Sequence, residues 1–102
     1  MARLDEIAEG IAMILASSPE PEPLTVSLRG EGVGETTFFV RAVIDSCERR
    51  GSPINAVNVC INLGSDLLKQ YHHNQKGYQG VQIKGSLTLN SEVEFYRFGG
   101  QK

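Results

Sequence analysis

Residues 24–61 read LTVSLRGEGVGETTFFVRAVIDSCERRGSPINAVNVCI, and the order of patterns inside that stretch decides the fold. Leu24, Val26 and Leu28 alternate with Thr25, Ser27 and Arg29. Val57, Val59 and Ile61 alternate with Asn58, Cys60 and Asn62. Each set has the two-residue period of a half-buried strand. Between them Phe39, Val40, Val43, Ile44 and Cys47 recur at helical spacing, while Arg41, Asp45, Glu48 and Arg49 take the opposite arc. Gly51 and Ser52-Pro53 stop that helix, so the second strand begins near Ile54. The stretch is a strand–helix–strand unit, and the rest of the chain is attached to it.

The loop inside the unit, from Gly30 to Glu35, is rich in glycine and opens the helix, with Thr36 and Thr37 placed to cap it. Such loops can aim backbone N–H groups at a phosphate. Here no Lys follows, the spacing is not GxGxxG, and Glu31 and Glu35 would repel an anion, so the reading is a turn.

Toward the N-terminus, Leu4, Ile7, Ala8, Ile11, Ile14 and Leu15 form a helical stripe over residues 2–16, expected to lie as a lid on the sheet. Met13 widens the apolar arc, which offers a dimer-forming helix as the other reading. Gly10 inside it signals either close packing or a weak helix. Residues 17–23 hold three of the four prolines and form an extended connection.

Toward the C-terminus, a short helix starts at Ser65 or Asp66 with Leu67, Leu68 and Tyr71 on its apolar side. Its tail, Lys69 to Tyr78, gathers Tyr71, His72, His73, Lys76 and Tyr78 without an acidic residue. Adjacent histidines diverge by about 100° on a helix, which is poor geometry for a shared metal. The last 25 residues read as a hairpin. A loop of Asn90, Ser91 and Glu92 pairs Leu89 with Val93 and Leu87 with Phe95, and Gly85 marks a bulge or a close backbone approach.

Assembled, the expectation is an α+β two-layer sandwich in the order α-β-α-β-α-β-β, with a βαβαββ core over residues 24–98. Its four-stranded mixed sheet carries helices mainly on the Val57/Phe95 face. The reverse face then shows Thr25, Ser27, Asn58, Asn62, Lys84, Thr88, Tyr96 and Phe98. A length of 102 residues sets one domain with one modest core, hiding roughly 60–65% of the unfolded surface.

A net charge of −2 removes the electrostatic footprint of a protein whose main task is gripping phosphate backbones. Cys47 and Cys60 have no CxxC or zinc-like spacing, which favours a reduced interior. Asp5, Glu6 and Glu9 stand where a secretory signal needs positive charge, and no apolar run approaches membrane-spanning length. These features point to the cytoplasm.

No catalytic, cofactor-binding or metal-binding residues are assigned, and no cofactor is expected. The candidate binding surface is Lys69, Tyr71, His72, His73, Lys76, Tyr78, Lys84, Tyr96 and Phe98. The functional expectation is a non-catalytic binding or protein-interaction module, self-associating through the sheet face or edge, with no membrane partner. The alternative is a nucleic-acid-binding domain, in which the lysines meet phosphate and the tyrosines stack on unpaired bases.

Overall fold

A computed structural model describes residues 3–17, 24–52, 54–71 and 77–96. The elements are α1 (Arg3–Ser17), β1 (Leu24–Ser27), α2 (Val33–Arg49), β2 (Ala56–Cys60), α3 (Ser65–Tyr71), β3 (Gln82–Ser86) and β4 (Glu92–Tyr96), in the expected α+β order. The strands form one four-stranded mixed sheet in the spatial order β1-β4-β2-β3.

Alternation does what the sequence implies on the covered face. Val57, Val59, Ile83, Val93 and Phe95 are buried, and Phe39, Val40, Val43, Ile44 and Cys47 of α2 lie in the same core. Phe39 meets Phe95 edge-on at 6.1 Å between ring centroids.

The expected hairpin does not form. β4 pairs antiparallel with β1 (Leu24 with Phe95, Val26 with Val93) and with β2 (Val57 with Phe95, Val59 with Val93), while β3 pairs parallel with β2. β1 and β2 thus run parallel but are not neighbours. The physical reason is burial: Val93 and Phe95 are fully covered in the middle of the sheet, beneath α2. An outer hairpin strand would have left them at an edge. Leu87 and Leu89, placed in the strand by periodicity, instead belong to the crossing, and Leu87 is 90% exposed. Residues 87–91 must clear two strand spacings, roughly 10 Å, which a short extended segment reaches easily. That connection passes the end of β2, where Cys60 is buried rather than reachable.

Gly85 is not a bulge, because β2 and β3 stay in continuous register through it. Leu68 and Ile61 close down over it instead, within 3.0–3.2 Å of where a Cβ would stand. The helix ends follow local chemistry. Gly51, at φ 74°, closes α2 as its N–H reaches the Glu48 carbonyl and that of Ser52 reaches Cys47. At the other end Gly32, not a threonine, is the N-cap, and Glu35 Oε1 accepts its N–H at 3.2 Å. Thr36 and Thr37 donate back to the Gly32 and Val33 carbonyls from inside the helix. The Glu35 carboxylate stands at the helix start, where an anion would otherwise sit.

α1 is not a lid on the sheet. It packs against α2 through Ala8, Ala12 and Leu15, and Glu9 bridges Arg49 and Arg50 at 2.7 and 2.8 Å. Those guanidiniums, Arg50 foremost, hold the Glu9 carboxyl below its usual range.

Two glycines give opposite expectations in urea denaturation. A Cβ at Gly10 would meet nothing, so Gly10→Ala should stabilise by about 0.5–1 kcal/mol through helix propensity. Gly77 has φ 62°, and a Cβ there would collide with the Val81 carbonyl, so Gly77→Ala should cost about 2 kcal/mol or more.

Candidate functional site

The sheet face opposite the helices carries Thr25, Ser27, Ala56, Asn58, Gln82, Lys84, Glu92, Glu94 and Tyr96, by alternation with the buried residues of the same strands. The register sets Thr25, Glu94, Asn58 and Lys84 in one row across all four strands. The neighbouring row is Tyr96, Ala56 and Gln82. A methyl group between two long side chains leaves a hollow of ≈ 360 Å³ over Ala56, rimmed also by Asn55, Asn58 and Lys84.

Glu94 is the polar centre of this face. Its Oε1 accepts from the Tyr96 hydroxyl at 3.0 Å and from Asn58 Nδ2 at 3.3 Å. The hydrogen bond to that carboxylate, helped by burial, raises the Tyr96 pKa above that of free tyrosine. Tyr96 is therefore a neutral donor at any physiological pH. Lys84 lies two strands from Glu94, roughly 10 Å across the sheet, too far to share a proton directly. The face presents amide and phenol groups around a shallow hollow.

The candidate residues drawn from the sequence separate into two groups. Lys84 and Tyr96 share the rim of the hollow. Tyr71 and Tyr78 lie on the helix side, where both pack against the core cluster, and Lys69 is exposed on α3. His72, His73, Lys76 and Phe98 lie outside the described residues. Of the other residues assigned to the open face, Asn62 falls in the turn after β2 and Thr88 in the bend after β3. Thr88 Oγ1 is 3.0 Å from Ser86 Oγ.

Tyr71 and Tyr78 are brought together by a residue assigned to the solvent arc. Arg41 Nη2 donates to the Tyr71 hydroxyl at 2.8 Å and to Gln70 Oε1 at 2.7 Å. Its guanidinium carbon lies 5.7 and 5.6 Å from the two ring centroids, and the rings meet edge-on at 5.5 Å. Tyr78 is delivered there by a tight turn that sequence reading missed. Gln79 and Gly80 both have positive φ, and Tyr78 and Val81 exchange backbone hydrogen bonds across them. The Tyr78 hydroxyl then donates to both Asp45 oxygens at 3.0 and 3.1 Å, joined by Gln79 Nε2. Burial first, and the Asp45 carboxylate with it, raises the Tyr78 pKa. The Gln-Gly dipeptide between Tyr78 and Val81 was the available signal.

Comparison of the chain with family models, with curated proteins and with solved structures found no match. Among the described residues no group of three or more His, Cys, Asp or Glu could hold a metal ion. None of the helices there is long and apolar enough to cross a membrane.

Both raised tyrosines give a pH expectation. A phenol whose folded pKa exceeds its unfolded value contributes stability that is complete below the unfolded pKa of about 10 and is lost as pH rises through the folded one. Phenolate absorbance should therefore show components titrating above 10 in the folded protein. Tyr96→Phe and Tyr78→Phe should each remove one, and unchanged titrations would contradict the two hydrogen bonds.

Proposed function

We propose that this chain is a small non-catalytic protein-interaction module that makes its contact through the uncovered side and free edge of the sheet, with a second copy of the chain as partner. The observation that carries the reading is the one-sidedness of the sheet. Helices cover the Val57/Phe95 face, and the other face is polar with a shallow hollow beside Tyr96.

The edge supports self-pairing. Among the described residues nothing pairs with the outer side of β3, and Leu87, 90% exposed, follows directly after it. An exposed edge strand is a template for another strand, and a two-fold pairing is self-complementary. An antiparallel β3–β3 contact centred on Lys84 would oppose two like charges. Centred on Gly85, it sets Lys84 opposite Ser86 and Leu87 opposite Ile83 of the other copy, so that both exposed leucines gain apolar neighbours.

The nucleic-acid reading draws on Lys84 and Tyr96 sharing one rim. Against it stand Glu92 and Glu94 on the same face, and the commitment of Tyr71 and Tyr78 to Arg41. Among the described strand residues of that face Lys84 is the one cation, and it does not outweigh two carboxylates in drawing a phosphate backbone.

Light scattering over a concentration series tests the proposal. The mass should rise from one chain toward two, and Leu87→Lys should weaken the dimer by about tenfold or more while leaving the fold intact, since that side chain is already in solvent. A single-chain mass at every concentration would sink self-association. Salt-sensitive binding of single-stranded oligonucleotides, lost in Lys84→Ala and Tyr96→Ala, would favour the nucleic-acid reading instead.

A further inference from the structure

A larger concavity lies on the other side of the molecule, between α1 and the outward ridge of α2. It encloses ≈ 530 Å³, and its floor is formed by Ala42 and by Phe38, an aromatic ring 51% exposed on a helix face otherwise given to charged side chains. Its walls are unequal in charge, with Asp5, Glu6, Glu9 and Asp45 against Arg41 and Arg49.

Both cations are already engaged. Arg49 bridges Glu9 at 2.7 Å, and Arg41 is held by Gln70 and by the Tyr71 hydroxyl. The carboxylates are not so balanced. Among the described residues the donors to Asp45 are the neutral groups of Tyr78 and Gln79, and neither Asp5 nor Glu6 has an ion pair. A cation entering the groove would meet four carboxylates against two guanidiniums, beside the negative face of an exposed ring, while an anion would meet the larger number of like charges.

We infer that this groove docks a cationic amphipathic segment of a partner protein. A lysine or arginine of that segment lies between Asp45 and the Asp5/Glu6 wall, and an apolar side chain rests on Phe38. The apolar floor gives the contact its affinity, and the acidic rim orients it and speeds the encounter. The site shares no residue with the sheet face or the β3 edge, so it stands whether or not the chain self-associates.

The test uses the full chain and a short fluorescein-labelled amphipathic lysine–leucine peptide, with a glutamate–leucine peptide of the same pattern as the opposite-charge probe. Fluorescence anisotropy should show salt-sensitive binding of the lysine peptide only. Phe38→Ala and Glu6→Gln change exposed side chains, so the fold survives, and each should weaken binding by roughly three- to fivefold. Asp45→Asn should do the same while keeping an acceptor for the Tyr78 hydroxyl. Glu92→Gln removes the same charge from the sheet face and should leave the affinity unchanged. The inference is overturned if the lysine peptide does not bind, if Phe38→Ala and Glu6→Gln bind it as the parent does, or if Glu92→Gln weakens it equally, which would mean a diffuse attraction to an acidic protein.

Discussion

The structure turns on where Phe95 is put. It lies in β4 with a backbone partner on each side, Leu24 and Val57, and with Phe39 of α2 above it. Burying such a side chain fully, rather than half, gains on the order of 1–2 kcal/mol, and Val93 one turn of the pleat away gains in the same way. Against this stands the slightly longer crossing that carries the chain from β3 past β2, whose added closure entropy is about half a kcal/mol. The comparison favours the central position. Once β4 is there, β1 and β2 are held parallel at a distance of two strands and β3 is left as an edge.

Coverage on one side follows from the same placement. α2 bridges β1 and β2 over the β4 residues between them, and α3 covers β3, where Leu68 closes on Gly85. α1 then finds its apolar stripe best served by α2 rather than by the sheet. Ala8 and Ala12 allow a close approach, and the Glu9 bridge to Arg49 and Arg50 fixes the sliding of one helix along the other. That contact is exposed and of small energetic weight, so its contribution is register more than stability. Ile7, Met13 and Ile14 stay about half exposed as a result. The open sheet face and the α1/α2 groove are thus two consequences of one packing decision.

Element type and order were legible because they depend on local periodicity. The alternations read over residues 24–29 and 57–62, the arc of Phe39 to Cys47 and the stop at Gly51 are properties of neighbours along the chain. The second strand nonetheless ends at Cys60, and Ile61, placed by parity on the buried face, lies in the turn and is 45% exposed. Strand neighbours are not. The same Val93/Phe95 alternation suits a hairpin and a central strand, and only the competition for burial beneath α2 separates them. The candidate site was half legible for the same reason. Strand parity puts Tyr96 and Lys84 on one face whichever strands lie between them, but the hollow depends on Ala56 falling between Tyr96 and Gln82, which is a matter of pairing. Arg41 was assigned to solvent by its position on the helix, correctly for its Cα and wrongly for its guanidinium, because a long side chain reaches beyond the arc from which it starts.

Arg41 shows why a segment rich in lysine and tyrosine need not be a ligand surface. Among the described residues its Nε is buried without a partner, a cost of about 1–3 kcal/mol. Against that cost stand two cation–ring contacts of about 0.5–2 kcal/mol each and two hydrogen bonds from Nη2. The contacts outweigh that cost, and they also position the groups around the guanidinium. By standing between α2, the end of α3 and the turn at Gln79-Gly80, the guanidinium fixes Tyr71 and Tyr78 relative to each other and to Asp45. The turn delivers the chain to β3 in the register that pairs Ile83 with Val57. Both tyrosines are spent on that junction, with their rings against each other and their hydroxyls on Arg41 and Asp45.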